Sequence, residues 1–131
     1  MKSLLQTAKN IAVVGASTKP WRDSNGIMEY LLKEGYNVIP VNPSYDAVLG
    51  KKCYPDLKSI PEVIDIVDIF RNPAEVMPII DEAIAIHAKA VWMQLTVVNE
   101  EAKKKAQDAG LAVVMDHCIL IEHRRLFHWS R

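Results

Sequence analysis

The amino-acid sequence predicts an α/β fold, a three-layer sandwich in which helices cover both faces of a mostly parallel five-stranded sheet. Short apolar runs alternate with helical patterns along the 131 residues. The runs are apolar at nearly every position, which is typical of strands buried on both faces of a parallel sheet. Glycines or an asparagine-proline pair follow most of these segments and end them. The length fits one domain, so we expect residues 1–131 to form a single domain.

The elements follow from these patterns in chain order. Strands are predicted at residues 11–14, 37–41, 64–70, 90–95 and 111–115. Helices are predicted over residues 24–34, from residue 72, from residue 99 and over residues 122–127. The right-handed crossovers that join parallel strands leave few topologies. We therefore expect a Rossmann-like sheet with the strand order 3-2-1-4-5, or one close to it.

Helix ends in this sequence carry recognisable capping residues. Ser24, Asn72 and Asn99 are predicted N-caps, because a short polar side chain can accept a hydrogen bond from the first turn. Pro73 fits the first helical position after Asn72. Pro78 lies within the same pattern and should kink that helix or delay its start.

Composition and charge exclude several classes of function. The 16 basic and 16 acidic residues balance, so no overall basic field attracts nucleic acid. No apolar run approaches the roughly 18–20 residues of a membrane helix, and the first ten residues lack the apolar core of a signal peptide. Two cysteines are too few for a disulfide framework. We expect a cytoplasmic protein without nucleic-acid or membrane partners.

Unusual residues concentrate directly after the predicted strands. In an open α/β sheet, ligands bind at the carboxyl ends of the strands. The residues at those ends are Gly15, Ala16, Ser17, Asn42, Pro43, Arg71, Asn72, Pro73, Thr96, Asp116, His117 and Cys118. Their coincidence predicts a small-molecule site at this edge.

The first turn after a strand suits a phosphate. Gly15 permits a tight turn and close approach of a ligand, and Ser17 offers a hydroxyl. The helix N-terminus at Ser24, Asn25 and Gly26 presents free N–H groups and a partial positive charge. Two cations in the same stretch, Lys19 and Arg22, could reach the phosphates. Alternatively, Gly15 is only a turn glycine and Ser24 only a cap.

The end of the second strand argues against NAD. Dinucleotide-binding folds usually place Asp or Glu there to hold the ribose hydroxyls. This chain has Asn42-Pro43 instead, with Lys51 and Lys52 soon after. A ligand with a 2′- or 3′-phosphate is therefore tolerated, and coenzyme A and NADP both qualify. The alternative is that Asn42-Pro43 forms only a turn.

Arg71 ends a strand that should be buried, which favours phosphate recognition by its guanidinium. An ion pair with Asp65, Asp68 or Glu75 is the alternative.

Two further residues belong to the fourth predicted strand. Trp92 is expected to pack in the core, whereas Gln94 could reach the cleft.

Metal-ligating residue types gather in the C-terminal third, at His117, Cys118, His123 and His128. Their spacing matches no zinc pattern, so no metal site is predicted. Cys118 remains of interest if the ligand itself carries a thiol. The sequence shows no convincing acid/base pair or Ser-His-Asp arrangement.

Six stretches, at residues 15–17, 41–43, 65–71, 92–101, 114–118 and 122–126, together resemble a known family, the small stand-alone CoA-binding domain proteins of bacteria and archaea. That family is similar to the CoA-binding domain of the succinyl-CoA synthetase α-subunit. The resemblance implies a Rossmann-like fold with CoA across the strand ends, near Gly15, Ser17, Asn42, Pro43 and Arg71. His117 stands where the family pattern suggests Arg.

These observations favour a non-catalytic protein that binds coenzyme A or an acyl-CoA, as a carrier or regulator. One alternative is an NADP-linked oxidoreductase. Another is a redox protein in which Cys118 forms a mixed disulfide with CoA. The apolar tail, which includes Leu126, Phe127 and Trp129, allows either a monomer or a homodimer.

Overall fold

A parallel five-stranded sheet lies at the centre of the structure, a computed structural model that describes residues 1–128. From one edge to the other its strands are Asn37–Val41 (β2), Asn10–Val14 (β1), Ile66–Ile69 (β5), Ala90–Met93 (β6) and Ala112–Met115 (β7). A separate antiparallel hairpin pairs Ala47–Val48 (β3) with Lys51–Lys52 (β4). The predicted five-stranded sheet is thus confirmed, whereas the hairpin was not predicted. Trp129, part of the predicted apolar tail, lies outside the described residues.

The strand order differs from the prediction. Counted along the chain, the five strands of the sheet lie in the order 2-1-3-4-5, so the expected order 3-2-1-4-5 is wrong. The segment after the hairpin occupies the outer edge of β2: the Tyr54 amide donates to the Pro40 carbonyl at 3.0 Å, and the Asn42 amide donates to the Tyr54 carbonyl at 2.9 Å. The third strand of the sheet, β5, therefore pairs with β1 on its other side. The switch point of the sheet lies between β1 and β5, where such folds bind ligands.

Helices cover both faces of the sheet. They are Lys2–Thr7 (α1), Asp23–Lys33 (α2), Val76–Ala85 (α3), Glu100–Asp108 (α4) and Ile119–Phe127 (α5). The buried residues of α1, α2 and α5 pack on one face of the sheet, and those of α3 and α4 pack on the other. This arrangement confirms the Rossmann-like three-layer sandwich. Within residues 1–128 no helix is both long and apolar enough to cross a membrane.

Helix boundaries match the predicted caps in two cases of three. Asn99 caps α4, and its side chain accepts a hydrogen bond from the Ala102 amide at 3.0 Å. Asn72 precedes a 3-10 turn at Pro73–Glu75, so α3 starts only at Val76 with Pro78 in its first turn, as a delayed start requires. The prediction for Ser24 is wrong, because Arg22 occupies the N-cap position of α2 and Ser24 lies buried within the first turn.

Candidate functional site

A cleft runs along the carboxyl edge of the sheet and has two adjoining lobes. The lobe nearer β1 and β2, which we name the polar lobe, has a volume of about 700 Å³. The lobe nearer β6 and α5, which we name the apolar lobe, has a volume of about 780 Å³. Both lobes share the wall residues Trp21, Arg22, Asp23, Phe70 and Arg71. They therefore form one continuous groove across the switch point between β1 and β5.

The loop from Gly15 to Arg22 forms the floor and one wall of the polar lobe. Gly15 adopts φ 92° and donates its amide hydrogen to the Val41 carbonyl at 3.0 Å, which joins the ends of β1 and β2. The Asn42 side-chain amide donates to the Ala16 carbonyl at 2.8 Å. The Asn25 side chain donates to the Ser17 carbonyl at 2.9 Å. The loop is thus held from both sides by buried or half-buried amides.

Positive charge dominates the polar lobe. Lys19, Arg22 and Arg71 line it, and Asp23 is the one carboxylate among its lining residues. None of the three cations forms an ion pair with another residue of the described chain. Asp65, an alternative partner for Arg71, instead binds Lys89 at 3.1 Å. Anions are therefore favoured in this lobe.

The N-terminus of α2 adds to this field. The helix begins at Asp23, and no side chain caps its first turn. Unpaired N–H groups at a helix start carry a partial positive charge and bind anions. Since Arg22, Asp23 and Ser24 line the polar lobe, this helix end faces the same space as the three cations.

The apolar lobe differs in its chemistry. Its aliphatic lining residues are Ile27, Leu95, Val97, Leu120 and Ile121. Two arginines, Arg22 and Arg71, and two carboxylates, those of Asp23 and Glu75, also line this lobe. The formal charges of its lining residues therefore cancel. Gln94, which we expected to reach the cleft, lines this lobe and accepts a hydrogen bond from the Ile119 amide at 3.2 Å. Cys118, half-buried, also lines it.

Most residues predicted for the site line the cleft. The polar lobe contains Gly15, Ser17, Lys19, Arg22, Ser24, Asn42 and Arg71, and the apolar lobe contains Gly26 and Asn72. Four predicted residues, Ala16, Asn25, Pro43 and Pro73, do not line either lobe. Ala16 and Asn25 support the loop, Pro43 is exposed to solvent, and the Pro73 carbonyl accepts a hydrogen bond from Asn99 at 3.1 Å.

Other wall residues were missed by the sequence analysis. Trp21 and Asp23 lie inside the predicted loop, so treating the loop as continuous would have included them. Tyr45 and Phe70 carried no recognisable signal. Hydrogen bonds with the side chains of Ser17 and Thr18 lower the pKa of Tyr45, and nearby positive charges act in the same direction. Trp92, by contrast, is fully buried and donates its indole N–H to the His117 carbonyl at 2.8 Å, which confirms its core role.

Comparison with known proteins agrees with this architecture. The chain is 40% identical over 123 residues to the uncharacterized protein YneT of Bacillus subtilis, with 94% of this chain and 91% of that protein covered. A solved structure of a hypothetical protein from Pyrococcus horikoshii superposes with a TM-score of 0.93 at 50% identity, covering 95% of this chain and 88% of that one.

A longer relative extends the comparison to a ligase. The chain is 30% identical over 122 residues to the ADP-forming acetate–CoA ligase I of Archaeoglobus fulgidus; the match covers 85% of this chain and 18% of the ligase. The family described as CoA binding domain matches residues 9–124. The chain therefore belongs to the CoA-binding domain family, as its sequence resemblance predicted.

Proposed function

We propose that this protein binds coenzyme A, or an acyl-CoA, in the cleft and acts as a non-catalytic carrier or regulator. The observation that carries the proposal is the division of one groove into a lobe with an excess of positive charge and a lobe whose formal charges cancel and whose wall includes five aliphatic residues. Coenzyme A has the same division, with its phosphates at one end and its pantetheine arm at the other. Membership of the CoA-binding domain family supports this assignment.

The phosphates fit the polar lobe on electrostatic grounds. Three cations and the start of α2 face this space against one carboxylate. Arg71 and Arg22 belong to both lobes, so they stand where the pyrophosphate would pass from one lobe to the other. Guanidinium groups bind phosphate oxygens through paired N–H donors. Asn42 closes the lobe without placing a negative charge there, which leaves room for a ribose phosphate.

The pantetheine arm fits the apolar lobe. Its aliphatic wall offers van der Waals contact to the arm, and the half-buried thiol of Cys118 lies on that wall. No acid/base pair was found in the sequence, which is why the proposed role is binding rather than conversion.

Ligand binding can be tested by thermal unfolding and calorimetry with CoA, NADP, NAD and AMP. A ligand that binds the folded state alone stabilises it by about 2.7 kcal/mol at 100 times its Kd. We expect CoA to raise the Tm most. Absence of any stabilisation at millimolar CoA would contradict the proposal. A larger effect of NADP, with a change in NADPH fluorescence, would favour the oxidoreductase alternative.

Matched variants locate the ligand. Arg71→Ala should weaken CoA binding by about 1.5–3 kcal/mol if the guanidinium contacts a phosphate. Arg125→Ala is the control, because Arg125 is exposed, lies outside both lobes and pairs with Glu122 at 2.7 Å. Equal affinities of the two variants would exclude a phosphate role for Arg71.

Incubation with acetyl-CoA tests the non-catalytic role. The thioester should stay intact, and hydrolysis faster than in buffer would contradict this role.

The position of Cys118 supports a second candidate function, a redox role. Its thiolate could attack the disulfide of oxidised CoA, which would form a Cys118–CoA mixed disulfide and release one CoA as the thiolate. Mass spectrometry after incubation with CoA disulfide should then show one CoA adduct that a reductant removes. An unmodified mass would exclude this role.

Because Cys53 and Cys118 are both free thiols, we also propose a reducing, cytoplasmic location.

A further inference from the structure

A cluster of histidine and glutamate side chains lies far from the cleft. Glu34 is the C-cap of α2, whereas His123 belongs to α5 and His128 is the C-cap of that helix. None of the three residues lines either lobe. Since α2 begins at the cleft with Asp23, Glu34 lies roughly 16 Å away along the helix at 1.5 Å per residue. The cluster is therefore separate from the proposed CoA site.

Three potential ligand atoms converge in this cluster. One potential ligand atom from each of Glu34, His123 and His128 lies within 4.8 Å of the other two. Oε1 of Glu34 is 2.6 Å from Nε2 of His128 and 3.8 Å from Nδ1 of His123. We propose that Glu34, His123 and His128 form a binding site for a divalent transition-metal ion of the zinc class.

His123 supplies a fixed side of this site. Its side chain is almost fully buried, and its ring packs near Tyr36 and Phe127, with centroid distances of 5.7 and 4.7 Å. The Tyr30 hydroxyl lies 2.8 Å from Nδ1 of His123. A metal ion on Nδ1 therefore requires the Tyr30 hydroxyl to swing away from that nitrogen and keep its proton, because the 2.8 Å contact leaves no room for an ion between the two atoms.

Glu34 and His128 supply the adjustable side. Both residues are C-caps at helix ends, and their side chains are 25% and 49% exposed, so each lies partly outside the packed core. Zinc–ligand distances are about 2.0–2.2 Å for nitrogen and oxygen. The 2.6 Å contact between Glu34 and His128 must therefore open slightly, and the 3.8 Å separation between Glu34 and His123 must close slightly.

The ligand set decides the class of ion. Two imidazoles and one carboxylate form the protein side of zinc sites that keep a fourth position open to water. Imidazole also suits copper and nickel, whereas magnesium and calcium prefer oxygen ligands throughout. The site is thus expected to discriminate against magnesium.

Untagged full-length protein tests the inference directly. Competition with a chromophoric chelator should show one Zn²⁺ bound per chain, and cobalt substitution should give the visible absorption of a tetrahedral site. His128→Ala and Glu34→Gln should each weaken binding by at least about tenfold, the loss that even an outer partner of a metal ligand produces. His87→Asn is the control, because His87 is exposed on the α3–β6 turn and asparagine tolerates its φ of 59°.

Circular dichroism of each variant separates the loss of a metal ligand from the loss of folding. A Kd for Zn²⁺ above about 1 mM would overturn the inference. So would binding of Zn²⁺ by His128→Ala and Glu34→Gln as tight as that of the parent protein. Binding of CoA has no part in this experiment, so its result is independent of the proposed function.

Discussion

The carbonyl oxygen of Phe70 lies against Gly15, so that a Cβ atom built on Gly15 would clash with it. The two residues directly follow the neighbouring strands β1 and β5, and the Phe70 amide donates to the Val14 carbonyl at 2.9 Å. Phe70 and Gly15 both line the polar lobe. The close approach of the two strand ends is therefore part of the cleft wall itself.

Gly15→Ala should consequently destabilise the fold. The positive φ alone costs about 1–2 kcal/mol for a non-glycine residue, and the clash with Phe70 adds to that cost. Gly35→Ala is a closely matched control, since Gly35 has φ 94° and no atom within 4 Å of a built Cβ. Urea unfolding should show a larger loss for Gly15→Ala than for Gly35→Ala. Equal losses would mean that β1 and β5 separate to accommodate the methyl group.

Asp68 should make stability fall as pH rises. Its carboxyl group is fully buried in β5 and has no hydrogen-bond partner among the described residues. Burial raises the pKa of Asp68 well above its ordinary value, so the folded state holds a proton that the unfolded chain releases. This contribution to stability is complete below the unfolded pKa and is lost as pH rises through the folded pKa.

Asp68→Asn removes that titration. Its free energy of unfolding, relative to the parent protein, should rise by up to about 1.4 kcal/mol per pH unit between the two pKa values. For Asp56→Asn, the free energy of unfolding relative to the parent protein should instead fall as pH rises. Hydrogen bonds from the Ser59 side chain and amide lower the pKa of Asp56, so the parent gains stability between the folded and unfolded pKa values of this group. Denaturant unfolding from pH 4 upward measures the Asp68 trend, and unfolding below pH 4 measures the Asp56 trend, because a lowered pKa acts below the ordinary value. Parallel curves for Asp68→Asn and the parent would exclude a buried neutral acid.

Asp23→Asn should strengthen CoA binding, because it removes the one carboxylate among the residues that line the polar lobe. We expect a gain of about two- to fivefold, the size of one screened charge interaction. The gain should shrink as salt is added, since the ions screen it. Glu29→Gln on the exposed side of α2 is the control for a change of charge on the same helix. Calorimetry at two salt concentrations measures the affinity of both variants for CoA. An equal gain in affinity for Asp23→Asn and Glu29→Gln would contradict the prediction.

Thiol alkylation should distinguish the two cysteines. Cys118 is half-buried on the apolar lobe, whereas Cys53 is 6% exposed and its burial raises the pKa of its thiol. Iodoacetamide should therefore modify Cys118 first. An S-alkylated CoA, which cannot consume the reagent, should slow modification of Cys118 about tenfold at ten times its Kd, because only the free protein reacts. Peptide mass spectrometry measures both rates, and protection of Cys53 alone would place the ligand elsewhere.

Local patterns were sufficient for most of the architecture. The runs at residues 11–14 and 37–41 are apolar at nearly every position, and the structure places strands there with shifts of no more than one residue. The Asn99 cap and the delayed start of α3 were likewise correct, because a cap and a proline act through atoms within one turn of the chain. The prediction of Ser24 as a cap was wrong because α2 begins at Asp23, which places the N-cap at Arg22, two residues before Ser24.

By itself, the sequence determined the fold class, the family resemblance and the strand ends that carry the cleft residues, since all of these depend on residues close together in the chain. Only the tertiary structure decided the strand order, because the backbone of Tyr54 takes the outer edge of β2 and leaves β5 to pair with β1. It also decided which charges meet in the polar lobe, and it brought Glu34 close to His123 and His128, which lie far away in the sequence. Such contacts come from packing between distant segments, which no local spacing encodes.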